Sequence, residues 1–218
     1  MQKLNIDSIE QKLTFSGKVY KIKRVKNLDD LVDQVDEQLF NEDERLPYWA
    51  ELWPSAIGLA RYIAANSQLL RNKSVLELGC GLGLTSLVLA GGQPAELVIT
   101  DYEPDCLQMV EDNFALNGLQ VPETQLLDWR RPQLNRHFDC IVASDVLYEE
   151  RFFEPLLHVF IKYLNKNGII LLAEPGRPIA KSFFRMLQKN NFKFEEFQEL
   201  VDQDSKEIPV GIYQIFYN

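Results

Sequence analysis

The sequence has few of the residues that build metal centres and disulfide frameworks. It contains three cysteines, Cys80, Cys106 and Cys140, and two histidines, His137 and His158. The cysteines are scattered and odd in number, and no cysteine or histidine has the spacing of a zinc site. We therefore expect no bound metal and reduced thiols, as in the cytoplasm.

The sequence also lacks long apolar runs, linkers and a net positive charge. No apolar stretch reaches the length of a membrane span, and residues 1–7 lack the apolar core of a signal peptide. No repeat or linker divides the 218 residues, so we expect a single domain, as a monomer. The net charge of −9 argues against nucleic acid as a partner and suits a basic protein surface, although acidity also serves solubility.

Three glycines follow one short apolar run at every second position. The run Val75-Leu76-Glu77-Leu78 is followed by glycines at positions 79, 81 and 83 and then by the apolar segment 84–90. This pattern predicts a strand, a tight turn and a helix N-terminus, which together bring backbone N–H groups close to a ligand. The spacing differs from the dinucleotide fingerprint G-x-G-x-x-G, whose third glycine would fall at Leu84.

Strand and helix patterns alternate along the rest of the chain. Strands are predicted at 75–78, 97–100, 124–127, 138–143 and 169–173, and helices at 84–90, 105–117, 152–164 (with Asn167-Gly168 as its stop) and 179–190. Two β-rich segments, 192–199 and 210–217, close the chain without a helix between them. We expect an α/β fold: a doubly wound, mostly parallel sheet with an antiparallel addition at one edge.

The first 45 residues form an N-terminal extension that we expect to pack on the main domain, residues 46–218. Ser16-Gly17 predicts the turn of a hairpin within 11–25, and the spacing in 28–40 predicts a helix. Aromatic residues follow in 46–56. We expect Trp49 to seal the edge of the core, whereas Trp53 suits either that role or the wall of a cofactor pocket.

An acidic residue stands at or near the end of five successive strands: Glu77, Asp101, Asp128, Asp145 and Glu174. Ligands of open α/β sheets bind beyond these carboxyl ends, so we expect the five to converge on one edge. Asp101 lies about 20 residues beyond the glycine turn, where a carboxylate accepts ribose hydroxyl groups. Its alternative role is the N-cap of the following helix. Glu77 either anchors the glycine loop or accepts the amino group of a cofactor.

The glycine turn resembles the nucleotide-binding turn of class I, Rossmann-like S-adenosylmethionine-dependent methyltransferases. Three further motifs resemble the seven-strand protein methyltransferases, a group that includes lysine enzymes and is often labelled nicotinamide N-methyltransferase-like: Trp53-Pro54, Leu127-Asp128-Trp129 and Asp145-x-x-Tyr148. The resemblance covers roughly residues 46–175. It implies S-adenosylmethionine as cofactor, S-adenosylhomocysteine as product, and cofactor contacts from Trp53, Glu77, Gly79, Gly81, Gly83, Asp101, Tyr102, Asp128, Trp129 and Ser144.

The same resemblance assigns the remaining roles. Asp128 accepts the exocyclic amine of adenine, and Trp129 packs either on the base or on the protein surface. Asp145 holds and orients the incoming amine, or else caps the next helix, and Tyr148 walls the path of the methyl group. The Asn-Pro-Pro-Tyr signature of enzymes acting on bases or glutamine amides is absent. We therefore expect N-methylation of a protein lysine, with a small-amine methyltransferase or a non-catalytic cofactor-binding module as alternatives.

Overall fold

The computed structural model describes residues 7–28, 31, 47–203 and 205–217. Its strands are β1 Ser8–Phe15, β2 Lys18–Val25, β3 Ser74–Leu78, β4 Glu96–Asp101, β5 Glu123–Leu126, β6 Phe138–Ser144, β7 Leu164–Glu174, β8 Phe192–Gln203 and β9 Lys206–Tyr217. Its helices are α1 Pro54–Ala65, α2 Leu84–Gly91, α3 Pro104–Leu116, α4 Phe153–Tyr163 and α5 Ala180–Lys189. None of the helices in these ranges is long and apolar enough to cross a bilayer.

A seven-stranded sheet in the order β5-β4-β3-β6-β7-β9-β8 forms the centre of the molecule. Strands β3 to β7 pair in parallel. Strand β9 is antiparallel to both of its neighbours, β7 and β8. The expected fold class is confirmed, including the antiparallel addition. The strand order reverses between β3 and β6, which places the topological switch point at the glycine turn.

The sheet is buried on both faces, which explains the nearly continuous apolar character of its strands. Successive residues of a strand point to opposite faces, so Val75 joins the hydrophobic cluster under α1, α2 and α3. Its neighbour Leu76 joins the cluster under α4 and α5. Pro54 occupies the first turn of α1, because proline needs no hydrogen-bond partner for its nitrogen there.

The predicted N-terminal hairpin is present as β1 and β2. Phe15 pairs with Lys18, which leaves a two-residue turn in which both Ser16 and Gly17 have positive φ. Tyr20 and Ile22 join the core cluster on the α3 side of the sheet. The helix predicted at 28–40 lies outside the described residues, apart from Leu28 and Leu31.

Two asparagines, Asn113 of α3 and Asn117 just beyond it, hold the hairpin against the domain. The Asn113 side chain accepts the N–H of Lys23 at 2.7 Å and donates to the carbonyls of Lys23 (3.2 Å) and Leu82 (2.8 Å). Asn117 accepts the N–H of Lys21 at 2.9 Å and donates to the carbonyl of Lys21 at 2.7 Å. Each amide therefore acts like a neighbouring strand for the open edge of β2.

The predicted stop of α4 at Asn167-Gly168 is wrong. The helix ends at Tyr163, and β7 begins at once with Leu164, which pairs with Phe138. The pairing with β6 then jumps to Ile169, so the intervening residues form a bulge within the strand rather than a helix end. The positive φ of Asn167 belongs to this bulge. A turn-forming Asn-Gly pair has the same sequence signature in both settings.

The closing hairpin is longer than predicted, since β8 and β9 each contain 12 residues. Glu174, the last residue of β7, pairs with Gly211. Residues 206–210 of β9 therefore extend past the carboxyl end of β7, where they pair only with β8. Val210 of this extension and Val201 of the paired strand β8 are buried against the core under α1.

We predict that Asn113→Ala loosens the hairpin. The change leaves the N–H and carbonyl of Lys23 and the carbonyl of Leu82 without their side-chain partner, which should cost about 2–4 kcal/mol of unfolding free energy. Hydrogen exchange should accelerate at the β2 amides and not at those of β3. Gln108→Ala on the exposed face of α3 is the matched control, and equal exchange in both variants would contradict the prediction.

Candidate active site

A cavity opens at the carboxyl edge of the sheet, next to the switch point. Its lining comes from the aromatic segment before α1, the glycine turn after β3 and the loops that follow β4, β5 and β6. All predicted site residues except two are brought together there: Trp53, Gly79, Gly81, Asp101, Tyr102, Asp128, Trp129, Ser144, Asp145 and Tyr148. Of the five acidic residues at strand ends, Asp101, Asp128 and Asp145 therefore converge on the cavity. Glu77 and Glu174 do not line it.

The glycine turn brings backbone directly to the cavity wall. Gly79 and Gly81 both have positive φ, which favours glycine. A Cβ on Gly79 would lie 3.3 Å from Val146 Cγ1 and 3.7 Å from the Trp129 ring, and one on Gly81 would lie 3.4 Å from the Trp49 carbonyl oxygen. Side chains at these positions would fill the space where backbone meets the cavity. Trp49 packs against the core, as expected, and also lines the cavity.

Gly83 has a packing role outside the cavity lining. It is the N-cap residue of α2 with φ of 79°, and a Cβ there would come within 2.9 Å of Val110 Cγ2 on α3. Its assignment as a cofactor contact is therefore not supported by its position. The missing side chain lets the start of α2 approach α3 closely, which in turn sets the direction of the glycine turn.

Glu77 is likewise behind the cavity wall. It is 2% exposed, and its carboxyl group accepts a hydrogen bond from the Ser86 hydroxyl of α2. Of its two predicted roles, this contact matches the anchoring of the glycine loop, because it ties β3 to the helix beyond the turn. Burial, with a smaller contribution from the charge of Asp101, raises the pKa of Glu77 to about 8, and the Ser86 hydrogen bond opposes this rise.

Asp101 joins the glycine turn to the start of α3. Its Oδ2 accepts the N–H of Gly81 at 3.0 Å, and its Oδ1 accepts the N–H of Glu103 at 3.1 Å. The N-cap residue of α3 is Glu103, so Asp101 supports the helix start from two residues upstream. Each carboxylate oxygen accepts more than one hydrogen bond. Asp101, 8% exposed on the cavity wall, therefore retains capacity to bind a ligand's hydroxyl groups.

Arg130 is a cavity residue that the sequence interpretation missed. Its Nε lies 2.9 and 3.1 Å from the two carboxylate oxygens of Asp128, and its Nη2 donates to the Tyr102 hydroxyl at 2.8 Å. The guanidinium also lies 5.1 Å from the centre of the Tyr102 ring. Arg130 thus connects the loops after β4 and β5, and it forms an ion pair with Asp128. The only sequence signal was an arginine two residues after Asp128.

Aromatic rings form a continuous arc along the cavity. Tyr148 lies 5.9 Å from Tyr48 and 6.3 Å from Phe152 between ring centroids. Phe152 lies 6.0 Å from Trp129, and Tyr48 lies 6.4 Å from Trp53, whose indole N–H also donates to the Tyr48 carbonyl at 2.8 Å. The arc supplies apolar walls and aromatic faces that attract cations. Tyr48 and Phe152 were not among the predicted residues.

Asp145 follows the end of β6 in a backbone conformation that is rare for aspartate. Its φ is 61°, its N–H donates to the carbonyl of Ala173 at 3.0 Å, and it is 9% exposed on the cavity wall. The alternative role as a helix cap is wrong, because α4 begins eight residues later at Phe153 and its N-cap residue is Phe152. The carboxylate of Asp145 instead lines the cavity and contacts the loop after β7.

The Asp145 carboxylate is in ionic contact with Arg177, from the loop after β7. The contact is made by Oδ1 of Asp145, and its Oδ2 has no hydrogen-bond partner among the described residues. A buried carboxylate with open acceptor positions is suited to an N–H group of a ligand. Together with Asp101, it makes the cavity favourable for a cationic molecule. No group of three or more metal-binding side chains occurs in the described ranges.

We predict that Glu77→Gln changes how stability depends on pH. The pKa of Glu77 is about 8 in the folded protein and 4.5 as its ordinary value, so its protonation stabilises the fold fully below pH 4.5. That stability is lost as pH rises from 4.5 through 8, at up to about 1.4 kcal/mol per pH unit, or roughly 3–5 °C in melting temperature. The glutamine of the variant is always neutral and should be spared this loss.

Thermal melts of the parent and Glu77→Gln proteins at pH 5, 6, 7 and 8 test this. The melting temperature of the variant should gain on that of the parent at each step. Glu154→Gln, an exposed position in α4, is the control and should follow the parent. Parallel curves for the parent and Glu77→Gln would show that Glu77 is already ionised.

Comparison with known proteins identifies the family of this chain. A family model described as lysine methyltransferase matches residues 33–190. The chain is 33% identical over 134 residues to the electron transfer flavoprotein beta subunit lysine methyltransferase of Mus musculus, covering 61% of this chain and 52% of that protein. It is 34% identical over 162 residues to the calmodulin-lysine N-methyltransferase of Arabidopsis thaliana, covering 71% and 52%.

The chain thus spans about half the length of these two relatives. Its fold is also similar to a T. thermophilus 16S rRNA methyltransferase solved in complex with AdoMet and guanosine. The TM-score is 0.63 at 15% identity, covering 97% of this chain and 51% of that one, so this likeness concerns the fold alone. Since the family model matches more than half of the residues, the chain belongs to the lysine methyltransferase family.

Proposed function

We propose that this protein transfers a methyl group from S-adenosylmethionine to the side-chain nitrogen of a lysine in a protein substrate. The observation that carries the proposal is a single cavity that joins the glycine turn and Asp101 to the buried Asp145 carboxylate. Membership of the lysine methyltransferase family supports the choice of acceptor. Both relatives are named as lysine methyltransferases of a protein, which is the acceptor class we propose.

The cofactor half of the cavity contains groups that match a nucleoside with an amino acid tail. We propose that Asp101 accepts the ribose hydroxyls, that the backbone at Gly79 and Gly81 allows close approach, and that Trp129 packs against the base beside Asp128. The lack of side chains at the glycines is the feature of this structure that fits the group. When bound, S-adenosylmethionine supplies a methyl group already activated by its sulfonium charge.

The acceptor half consists of Asp145 and the aromatic arc. We propose that Asp145 accepts an N–H of the lysine and orients its nitrogen, and that the ring of Tyr148 lines the path of the amine. Burial of the hydroxyl, helped by the charges of Glu149 and Asp101, raises the pKa of Tyr148 to about 12, even though 39% of the residue is exposed. Tyr148 therefore stays protonated near neutral pH and does not take the proton of the amine.

We also propose that the protein works in the cytoplasm as a monomer and does not bind nucleic acid. The three cysteines support a location in the reducing cytoplasm, because all are buried and none forms a disulfide. Burial raises the pKa of Cys80 and Cys106, so neither thiol is activated as a nucleophile.

We predict that Asp101→Ala abolishes cofactor binding. The change removes the proposed partner of the ribose and also releases the N–H groups of Gly81 and Glu103, so affinity for S-adenosylhomocysteine should fall at least about 100-fold. Titration calorimetry measures this. Glu111→Ala on the exposed side of α3 is the control and should bind like the parent. Unchanged affinity of Asp101→Ala would place the cofactor elsewhere.

We predict transfer of labelled methyl groups to protein. The purified enzyme is mixed with methyl-labelled S-adenosylmethionine and heat-treated soluble protein of its host, and acid-precipitable label is counted and resolved on a gel. We expect a discrete labelled protein whose modified residue is lysine. Asp145→Ala should bind the cofactor normally in calorimetry yet lose at least about 100-fold in rate, because the amine is no longer oriented.

The other outcomes of this experiment identify the alternatives. Label confined to small molecules would replace the protein acceptor by a free amine or metabolite. Cofactor binding without any transfer would favour a non-catalytic binding module. Full activity of Asp145→Ala would remove Asp145 from the acceptor site.

A further inference from the structure

An ion-pair network of three side chains, Asp145, Arg177 and Glu174, lies next to the acceptor half of the cavity. Arg177 follows β7 in the sequence Glu174-Pro175-Gly176-Arg177. Its guanidinium contacts the carboxylate of Asp145 on one side and that of Glu174 on the other, at 3.3 Å. The side chains of Asp145 and Glu174 are 8% and 1% exposed, so the arginine bridges two carboxylates that solvent hardly reaches.

Glu174 fixes the position of this arginine. Its carboxylate accepts the N–H of Gly176 and, at 3.0 and 3.1 Å, the N–H of Arg177, in addition to the guanidinium contact. Gly176 has a φ of 85°, which lets the loop fold back over the end of β7. The loop is therefore preformed around Glu174, and the guanidinium has a defined position beside Asp145.

Methyl transfer to lysine poses a conflict that this arrangement answers. A buried carboxylate in contact with an amine stabilises its charged ammonium form and so raises the pKa of the amine. The ammonium has no lone pair, and each unit by which its pKa rises lowers the reactive neutral fraction about tenfold. Asp145 alone would therefore bind lysine well and make it a poor nucleophile.

On the basis of the function proposed above, we propose that Arg177 is a positioning residue for the methyl transfer. It holds the Asp145 carboxylate and offsets its negative charge, so that a lysine bound there gives its proton to water and reacts as a neutral amine. The lone pair of the lysine nitrogen forms the new N–C bond while the C–S bond breaks and leaves its electron pair on sulfur. The resulting methylated ammonium then releases one proton to water.

The geometry of the Arg177 contact is compatible with a bound amine. Because the guanidinium contacts Oδ1 and each carboxylate oxygen has two acceptor positions, Asp145 keeps acceptor positions for lysine N–H groups. An arginine also keeps its charge throughout the pH range of the reaction, whereas a second titrating group would add its own pH dependence.

Other charged groups around the acceptor position do not replace Arg177. Asp101 from β4, Glu174 from β7 and Glu149 from the loop after β6 are acidic, and Tyr148 is neutral because of its raised pKa. Arg151 is in ionic contact with Glu149. Removing Arg177 therefore leaves an acceptor site in which acidic groups outnumber basic ones, and the pKa of a bound lysine should rise.

The test compares pH profiles of methyl transfer. Initial rates at limiting heat-treated host protein, which follow kcat/KM, are measured from pH 6.5 to 10 for the parent, Arg177→Gln and Arg177→Lys. For Arg177→Gln we expect about a tenfold loss at pH 7, recovery toward pH 10, and a midpoint shifted upward by about one pH unit. Arg177→Lys restores the positive charge and should bring the midpoint back toward that of the parent.

Controls separate this effect from damage to the fold or the cofactor pocket. Arg185→Gln, on the exposed side of α5, should keep the parent's profile. Calorimetry with S-adenosylhomocysteine should give equal affinities for the parent and both Arg177 variants. For Arg177→Gln, a loss of rate that is uniform across pH, or a midpoint equal to the parent's, would overturn the role of Arg177 while leaving the proposed function intact.

Failure of the proposed function has a different signature. If the parent enzyme transfers no label to protein at any pH, the protein acceptor is wrong and the inference about Arg177 falls with it. If Arg177→Gln is unstable in thermal melts, Arg177→Met takes its place as the neutral variant. An upward shift of the midpoint by about one pH unit then supports the proposal, and an unchanged midpoint or a uniform loss of rate contradicts it.

Discussion

The burial of a parallel sheet on both faces is the constraint from which the rest of this structure follows. Strands β3, β4 and β6 are covered by helices on each side, so polar side chains within them have no solvent to reach. Acidic residues are tolerated only where the strands end, and even there each one must find a hydrogen-bond donor, a cation or a ligand. The cavity is the place where these requirements are met together.

The acidic residues meet that requirement in different ways, and the differences sort their roles. Glu77 accepts the Ser86 hydroxyl and has a raised pKa, as expected for a carboxyl group that serves the fold. Asp101 accepts hydrogen bonds from two backbone N–H groups at the cavity wall. Asp128 and Asp145 each contact an arginine from a loop. A carboxylate's partner is thus a better guide to its use than its position at a strand end.

Much of this arrangement was predictable from the sequence, because it depends on local patterns. Apolar runs that end in an acidic residue fix both the parallel sheet and the edge at which its ligands bind, so Asp101 and Asp145 were placed correctly on the cavity wall. Glu77 does not line the cavity, because it pairs with Ile99, two residues before Asp101, and therefore lies deeper in the sheet. The end of α4 was predicted to within one residue, but Asn167-Gly168 was interpreted as the helix stop and lies instead in the bulge of β7.

The two arginines could not be predicted for a physical reason. Arg130 and Arg177 acquire their meaning from carboxylates brought close by the fold, and long flexible side chains in polar loops carry no periodic signal. They matter for the function proposed above, because a site that binds a cationic cofactor and a lysine would face opposing demands. Negative charge attracts both reactants, but the same charge keeps the lysine protonated. A cavity that concentrates carboxylates and then balances selected ones with arginine keeps the attraction while limiting its effect on the nucleophile.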